Sequence, residues 1–126
     1  MQHTKLIKML GEDRAARQQA GGGVELIRTA WVMRLKPGCE AVYKKKHDEI
    51  WPEMLDLMKR QGVGNFSIYR HGLTLFAYNE RKEPTSAEAP HDPVVQRWWR
   101  MMEPYMEYNA DGTPWQEPIE EVFHAD

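Results

Sequence analysis

Residues 27–35 read Ile-Arg-Thr-Ala-Trp-Val-Met-Arg-Leu, and residues 43–54 read Tyr-Lys-Lys-Lys-His-Asp-Glu-Ile-Trp-Pro-Glu-Met. In the first stretch Ile, Thr, Trp, Met and Leu occupy every second position, which is typical of a β-strand. In the second stretch the apolar and aromatic side chains recur at steps of three and four residues, as they do on one face of an α-helix. Pro37-Gly38 separates the two patterns, so the sequence predicts a strand followed by a helix.

The helix that starts here is interrupted and then ended by residues that break helices. Pro52 lies inside the helical pattern and has no N–H to donate, so we expect the helix to kink or to restart there. Gly62 and Gly64 end the pattern. Two further strands are predicted at residues 65–70 and 73–79, and His71-Gly72 between them predicts a tight hairpin turn.

The C-terminal half predicts a second helix and a closing strand. Asp92 is a favourable N-cap and Pro93 suits the first helical position, and apolar residues then repeat at helical spacing as far as Met106. Residues 81–91 are charged and contain two prolines, which predicts a loop with room for one helical turn. Residues 119–124 are predicted to form a short closing strand.

The predicted order of elements is β-α-β-β-α-β, which indicates an α+β fold of the ferredoxin-like type. In that arrangement the helices cover one face of a four-stranded antiparallel sheet and leave the other face open. Both faces of the predicted strands carry apolar residues, with Tyr69 opposite to Ile68 in direction and Phe76 opposite to Leu75. An uncovered apolar sheet face usually marks an interface, so we predict a homodimer whose two sheets pack together.

Composition and charge narrow the classes of function. The chain has 126 residues and a net charge of −2, so we expect one main domain and no nucleic-acid partner. Cys39 is the only cysteine and cannot form an internal disulfide, which favours a reducing, cytoplasmic location. We expect neither a signal peptide nor a membrane span, because no long apolar run occurs. Residues 1–23 are polar and end in three glycines, so they are interpreted as a flexible extension, native or added for expression, and residues 24–126 as the folded domain.

The sequence contains no glycine-rich phosphate loop, no Cys and His group with metal-ligand spacing, and no Gly-x-Ser-x-Gly motif, so we expect no cofactor and no metal. His47 is the main candidate for chemistry, because it lies one helical turn after Tyr43 and because histidine titrates near neutral pH. The alternative is a half-buried histidine bonded to a neighbouring carbonyl. Trp98 and Trp99 point about 100° apart on their helix, so we expect one to pack inward and the other to meet a cavity or the sheet edge, unless both only fill space.

Four blocks of the chain resemble the L-rhamnose mutarotase family, and they occur in the family's order. They are Tyr43-Lys-Lys-Lys-His47-Asp-Glu-Ile-Trp-Pro-Glu53, Asn65-Phe-Ser-Ile-Tyr69 with Leu75-Phe-Ala77, Gln96-Arg-Trp-Trp99, and Glu120-Glu-Val-Phe123. The resemblance extends from Ile27 to Phe123 and does not include the N-terminal extension.

The resemblance implies a dimeric α+β barrel of ferredoxin-like subunits, and an isomerase that interconverts the α and β anomers of L-rhamnose without a cofactor. It implies that His47 is the catalytic proton donor and that Tyr43 binds the sugar. The tryptophan pair of the family matches Trp98 and Trp99, which are therefore expected to bind the sugar as well. A second sugar-binding tyrosine of the family falls on Phe66, where the hydroxyl is missing, so only the packing role of that ring is expected here.

Exchange between anomers requires the sugar ring to open and close again with two proton transfers, and it needs no redox step, activated group or metal. The ring opens when a proton reaches the ring oxygen and another leaves the anomeric hydroxyl. A histidine with its ordinary pKa of ~6.5 can supply the first proton, and a positioned acid of this kind accelerates a reaction ~10²–10⁴-fold. The partner base is left open by the sequence, since water, Tyr43 and a backbone carbonyl all qualify. Two other functions are compatible with this fold, namely a small dimeric α+β barrel monooxygenase and a non-catalytic sugar-binding regulatory module.

Overall fold

The computed structural model describes residues 25–85 and 89–126, so the extension predicted at residues 1–23 lies outside the described part of the chain. The strands are β1 (Ile27–Arg34), β2 (Val63–His71), β3 (Thr74–Arg81) and β4 (Glu117–Pro118). The α-helices are α1 (Glu40–Asp48), α2 (Pro52–Arg60) and α3 (Pro93–Met102), with single 3₁₀ turns at Ala89–His91 and Glu103–Tyr105. The four strands form one antiparallel sheet in the order β2-β3-β1-β4.

The interruption predicted at Pro52 is confirmed, because α1 ends at Asp48 and α2 begins at Pro52 itself. Trp51 has an extended backbone, with φ −65° and ψ 136°, and acts as the N-cap of α2. This conformation is favoured for a residue before proline. Proline then occupies the first helical position, where its missing N–H leaves no hydrogen bond unmade. The helical pattern therefore forms two helices, α1 up to Asp48 and α2 from Pro52, instead of one continuous helix.

The hairpin of β2 and β3 is confirmed, with both strands longer than the sequence predicts. Its turn is Gly72-Leu73 and not the predicted His71-Gly72, because His71 is the last residue of β2 and pairs with Thr74 of β3. Gly72 lies at the turn with φ +61°, a left-handed conformation that glycine adopts without steric cost. A bulge between Gly64 and Ser67 shifts the register of β2 against β3. Asn65 lies inside the bulge with φ +46°, and asparagine tolerates this region better than most residues do.

The closing strand predicted at residues 119–124 is wrong. β4 consists of Glu117–Pro118 alone, which pair with Val32 and Trp31 of β1, and one further bond runs from the Ile119 N–H to the Ala30 carbonyl at 3.1 Å. Proline has no N–H for the ladder, so a longer strand would lack one bond at position 118. Beyond it the chain is held by a side chain, since Arg28 Nε donates to Glu121 Oε1 at 2.6 Å.

One face of the sheet, called the inner face here, carries Met33 of β1 with Leu75 and Ala77 of β3. These residues pack against side chains of the three helices and form the hydrophobic core with them. The core residues from the helices are Tyr43, Met54, Leu57, Trp98 and Met102. The helices therefore cover the inner face, as the sequence predicts.

The opposite face of the sheet, called the outer face, carries a row of three apolar side chains across three strands. Val32, Phe76 and Tyr69 are register partners on β1, β3 and β2. Phe76 is 41% exposed and Tyr69 is 69% exposed. No helix described in the structure covers this row, because the core that the helices form lies on the inner face.

Candidate active site around His47

Four aromatic side chains from three helical segments meet at the inner side of the molecule. The imidazole of His47 lies 4.3 Å from the ring of Tyr43 and 5.2 Å from the ring of Trp98, measured between ring centroids. The Trp98 ring is nearly perpendicular to the His47 ring, at 87°, and to the ring of Trp51, at 89°. Edge-to-face arrangements of this kind are favoured because the positive ring edge meets the negative face of its neighbour.

Local sequence and tertiary packing contribute differently to this ring cluster of Tyr43, His47, Trp51 and Trp98. The first two are one turn apart on α1, so they stack on the same side of the helix. The restart of the helix at Pro52 leaves the preceding Trp51 in an extended conformation, and its ring contacts the same Trp98 ring that His47 contacts. Trp98 comes from α3, which follows the β2–β3 hairpin in the sequence. Only the packing of α3 brings its ring into contact with His47 and Trp51.

One nitrogen of His47 is engaged by the backbone. Nδ1 lies 3.1 Å from the carbonyl oxygen of Tyr43, and because a carbonyl oxygen can only accept, Nδ1 carries the proton. This is the contact that the alternative interpretation of a structural histidine expects. It fixes the tautomer and the orientation of the ring, however, and Nε2 has no hydrogen-bond partner among residues 25–85 and 89–126. Nε2 is therefore the nitrogen that can exchange a proton with another molecule.

Burial changes the proton affinity of both α1 side chains in the cluster. It lowers the pKa of His47 below its ordinary 6.5, while the bond to the Tyr43 carbonyl and the charge of Asp48 act in the opposite direction. Burial raises the pKa of the Tyr43 phenol above its ordinary 10.0, and the nearby phenol of Tyr108 adds to the rise. The Tyr43 hydroxyl therefore keeps its proton at neutral pH, which makes it a poor candidate for the open role of base.

The two tryptophans of α3 differ in their surroundings. Trp98 is 9% exposed and packs inward, where it contacts both His47 and Trp51. Trp99 is only partly buried, and its backbone carbonyl accepts a hydrogen bond from the Tyr108 hydroxyl at 2.7 Å. Trp98 therefore supports the histidine, and Trp99 has more surface available for another molecule.

The structure does not bring Phe66 into contact with the ring cluster. Phe66 lies on β2, is 36% exposed, and packs against Trp31 of β1 with ring centroids 5.7 Å apart. It also lines an open groove of about 380 Å³ between α2 and β2, whose wall includes Leu55 and Met58. The sequence-predicted residues therefore form two groups, one around His47 and one around Phe66, and both border the layer between the helices and the sheet.

Sequence reasoning missed several residues that hold the site. Tyr108 ties the segment after α3 to the Trp99 backbone. The guanidinium of Arg97 lies 5.6 Å from the Trp51 ring centroid and donates to Glu53 Oε2 at 2.8 Å, so it connects α3 to α2. Of the residues in these contacts, the sequence pattern indicated only Trp51, which falls at helical spacing from His47. The contacts of Tyr108 and Arg97 depend on how α2, α3 and the segment after α3 pack, and no local pattern indicates them.

The described residues show no site for a metal ion and no membrane span. Within residues 25–85 and 89–126, no three His, Cys, Asp or Glu side chains come close enough together to bind a metal ion. No helix in the same part of the chain has both the length and the apolar character needed to cross a membrane.

Comparison with known proteins relates the chain to one family. Residues 28–125 match the family model described as L-rhamnose mutarotase. Among curated relatives, the L-rhamnose mutarotase of Leptothrix cholodnii is 40% identical over 102 residues, which cover 79% of this chain and 96% of the relative. That of Bacteroides thetaiotaomicron is 43% identical over 102 residues, with 79% and 98% covered. The crystal structure of an L-rhamnose mutarotase from Formosa agariphila matches with a TM-score of 0.70 and 36% identity, and covers 79% of this chain and 98% of that one.

Proposed function

The chain belongs to the L-rhamnose mutarotase family, and on this premise we propose that it is an isomerase that interconverts the α and β anomers of L-rhamnose at the ring cluster around His47. The observation that carries the assignment of the site is the orientation of one imidazole. Its Nδ1 is tied to the Tyr43 carbonyl, and its Nε2 has no hydrogen-bond partner in the described part of the chain.

In the proposed reaction His47 acts as the proton donor. When the imidazole is charged, Nε2–H donates to the ring oxygen of the sugar, and the bond between that oxygen and the anomeric carbon breaks as the anomeric hydroxyl loses its proton. Rotation about the bond to the carbonyl carbon presents the other face, and the ring closes with the proton transfers reversed. The Tyr43 carbonyl stabilises the charged ring through the Nδ1–H bond.

The aromatic side chains are assigned to the apolar surfaces of the sugar. L-rhamnose is a 6-deoxy sugar with a methyl group and apolar C–H faces, which tryptophan and phenylalanine rings cover well. We assign Trp98, Trp99 and Phe66 to these surfaces and the Tyr43 hydroxyl to a sugar hydroxyl. Since burial keeps the Tyr43 phenol protonated, water or a backbone carbonyl is a better base for the anomeric hydroxyl.

We further propose that the subunit is ferredoxin-like and works as a homodimer in the cytoplasm. A ferredoxin-like fold is supported by the sheet order β2-β3-β1-β4, with one helical segment after β1 and another after β3. The row Val32, Phe76 and Tyr69, in which Phe76 and Tyr69 are exposed, supports a dimer in which two outer faces pack into an α+β barrel. The single thiol of Cys39 supports a reducing compartment.

The function is tested by measuring anomer exchange directly. Saturation-transfer NMR of L-rhamnose reports the exchange rate between its anomers, and we expect the wild-type protein to accelerate it above the rate in buffer. His47→Ala should lose most of that acceleration, about 10²-fold or more, because the positioned acid is gone. His71→Ala is the matched control, because His71 is exposed at the hairpin. A His47→Ala protein as fast as wild type, with its helical circular dichroism intact, would remove His47 from the mechanism.

The same assay distinguishes the other functions that the fold allows. Oxygen consumption or a haem absorption band would favour a monooxygenase. Binding of L-rhamnose in calorimetry with no faster exchange would favour a regulatory module. The relatives reported above are all named as L-rhamnose mutarotases, and these names favour neither the monooxygenase nor the regulatory module.

A further inference from the structure

Three polar atoms on the inner face of the sheet are buried without a hydrogen-bond partner among the described residues. They are the Thr29 hydroxyl oxygen, the Asn79 amide oxygen and the Trp31 indole nitrogen. A fourth such atom, a guanidinium nitrogen of Arg28, lies against the Glu121 carboxylate and is accounted for by that ion pair. Buried polar groups in folded proteins are nearly always hydrogen-bonded, so three open ones in one place require an explanation.

The three residues form one contiguous patch. Thr29 and Asn79 are direct register partners on β1 and β3, and Trp31 follows Thr29 on the same face of β1. Asn79 is 2% exposed and Thr29 is 8% exposed, so bulk water does not solvate these side chains. Along the same face, Ala77 opposite Trp31 and the next pair, Met33 and Leu75, belong to the apolar core. The inner face therefore changes from apolar to polar at Trp31.

The patch offers both kinds of hydrogen-bonding group and no formal charge. The indole N–H of Trp31 can only donate, the amide oxygen of Asn79 can only accept, and the hydroxyl of Thr29 can do either. A sugar hydroxyl also donates and accepts, so a row of hydroxyl groups fits this set better than an ion does.

The patch also adjoins the aromatic surface proposed for the sugar. The Trp31 ring contacts the Phe66 ring at 5.7 Å, and Trp31 packs against the same core as Trp98. We propose that Thr29, Trp31 and Asn79 form a polar wall that binds the sugar hydroxyls away from the anomeric carbon and so selects which sugars are bound. This inference rests on the proposed function and deepens it.

The wall predicts opposite effects on sugar binding and on the stability of the free protein. Thr29→Val keeps the shape and removes the hydroxyl. The KM for L-rhamnose should then rise about 2- to 10-fold, the loss expected for one hydrogen bond, with kcat within about 2-fold of wild type. In the absence of sugar the melting temperature should be unchanged or higher, because a buried unpaired hydroxyl has been replaced by a methyl group. Thr74→Val on β3 is the matched control, since position 74 lies on the outer face.

A substrate lacking one hydroxyl identifies the contact. Deoxygenated analogues of L-rhamnose are assayed one by one with wild type, Thr29→Val and Trp31→Phe. For the analogue that lacks the bonded hydroxyl, the variant and wild type should have the same KM, because neither can make the bond. A Thr29→Val protein with unchanged KM on every sugar and a lowered melting temperature would overturn the proposal of a polar wall. The Thr29 hydroxyl would then have a structural role or bind water.

Failure of the wall and failure of the proposed function give different results. If wild type does not accelerate anomer exchange, the proposed function fails, and the wall is then judged by calorimetric titration with L-rhamnose. Weaker binding to Thr29→Val than to wild type would still support it, and equal binding would overturn it. If wild type neither accelerates exchange nor binds the sugar, both proposals fail.

Discussion

The imidazole of His47 is subject to opposing influences on its proton affinity, and their balance determines when it can act as the proposed proton donor. Burial among aromatic rings favours the neutral form and lowers its pKa. The Tyr43 carbonyl and the Asp48 carboxylate favour the charged form and only partly offset the effect of burial. With Nδ1–H bonded to the carbonyl, the neutral ring has no proton on Nε2. Only the charged ring can therefore donate to a sugar.

This requirement gives the pH dependence a definite sign. Because the donor is the charged form and its pKa lies below 6.5, kcat/KM for anomer exchange should rise as the pH falls from 8 through the lowered pKa, and should level off below it. The measurement is a pH profile of the exchange rate by NMR, corrected for the rate in buffer at each pH. The acidic rise should be absent in His47→Ala. A profile that falls with decreasing pH would instead make the neutral ring, acting as a base through Nε2, the working form.

At the scale of the element, α3 carries Trp98 and Trp99 and is positioned by its first turn. The Asp92 side chain accepts a hydrogen bond from the Val94 N–H at 2.9 Å, and Pro93 follows as the first helical residue. This N-cap satisfies one of the N–H groups that the start of a helix leaves open. Because the N-cap fixes the residue at which α3 begins, it also fixes the positions of Trp98 and Trp99 along the helix relative to α1.

Removing the cap should therefore cost stability. Asp92→Ala is expected to destabilise the protein by about 1 kcal/mol, which lowers the melting temperature by roughly 4 °C for a chain of this size. The measurement is thermal unfolding followed by circular dichroism. Asp56→Ala is the control, because Asp56 is an exposed residue within α2 and its change should leave the melting temperature within about 1 °C. Equal melting temperatures for Asp92→Ala and wild type would show that packing alone sets the start of α3.

At the scale of the whole molecule, the helices within residues 25–85 and 89–126 bury only one of the two faces of the sheet. The outer face presents Val32, Phe76 and Tyr69 side by side across β1, β3 and β2. Such a row is unfavourable in water, and a second copy of the same row is complementary to it by two-fold symmetry. The outer face is therefore where the proposed dimer forms.

A single charge in this row should separate the subunits. We expect wild type to sediment as a dimer and Phe76→Glu to sediment as a monomer, because two carboxylates would face each other across an apolar interface. Analytical ultracentrifugation over a range of concentrations measures the change. Leu55→Glu is the control, since Leu55 is an equally exposed apolar residue on the helical side. A wild-type protein that stays monomeric at high concentration would refute the dimer.

Residue patterns along the chain were sufficient to predict β1, the restarted helix, the β2–β3 hairpin and the capped start of α3, because periodicity, proline and capping act over a few neighbouring residues. The same local reasoning was wrong for residues 119–124, where Pro118 and a bond between Arg28 and Glu121, 93 positions apart, decide the path of the chain. Only the tertiary structure placed Trp98 against His47, and among the residues that it describes it left three polar atoms of the inner face without a hydrogen-bond partner. Such contacts join residues that are distant in sequence, and they depend on how helices pack on a sheet, which no local pattern encodes.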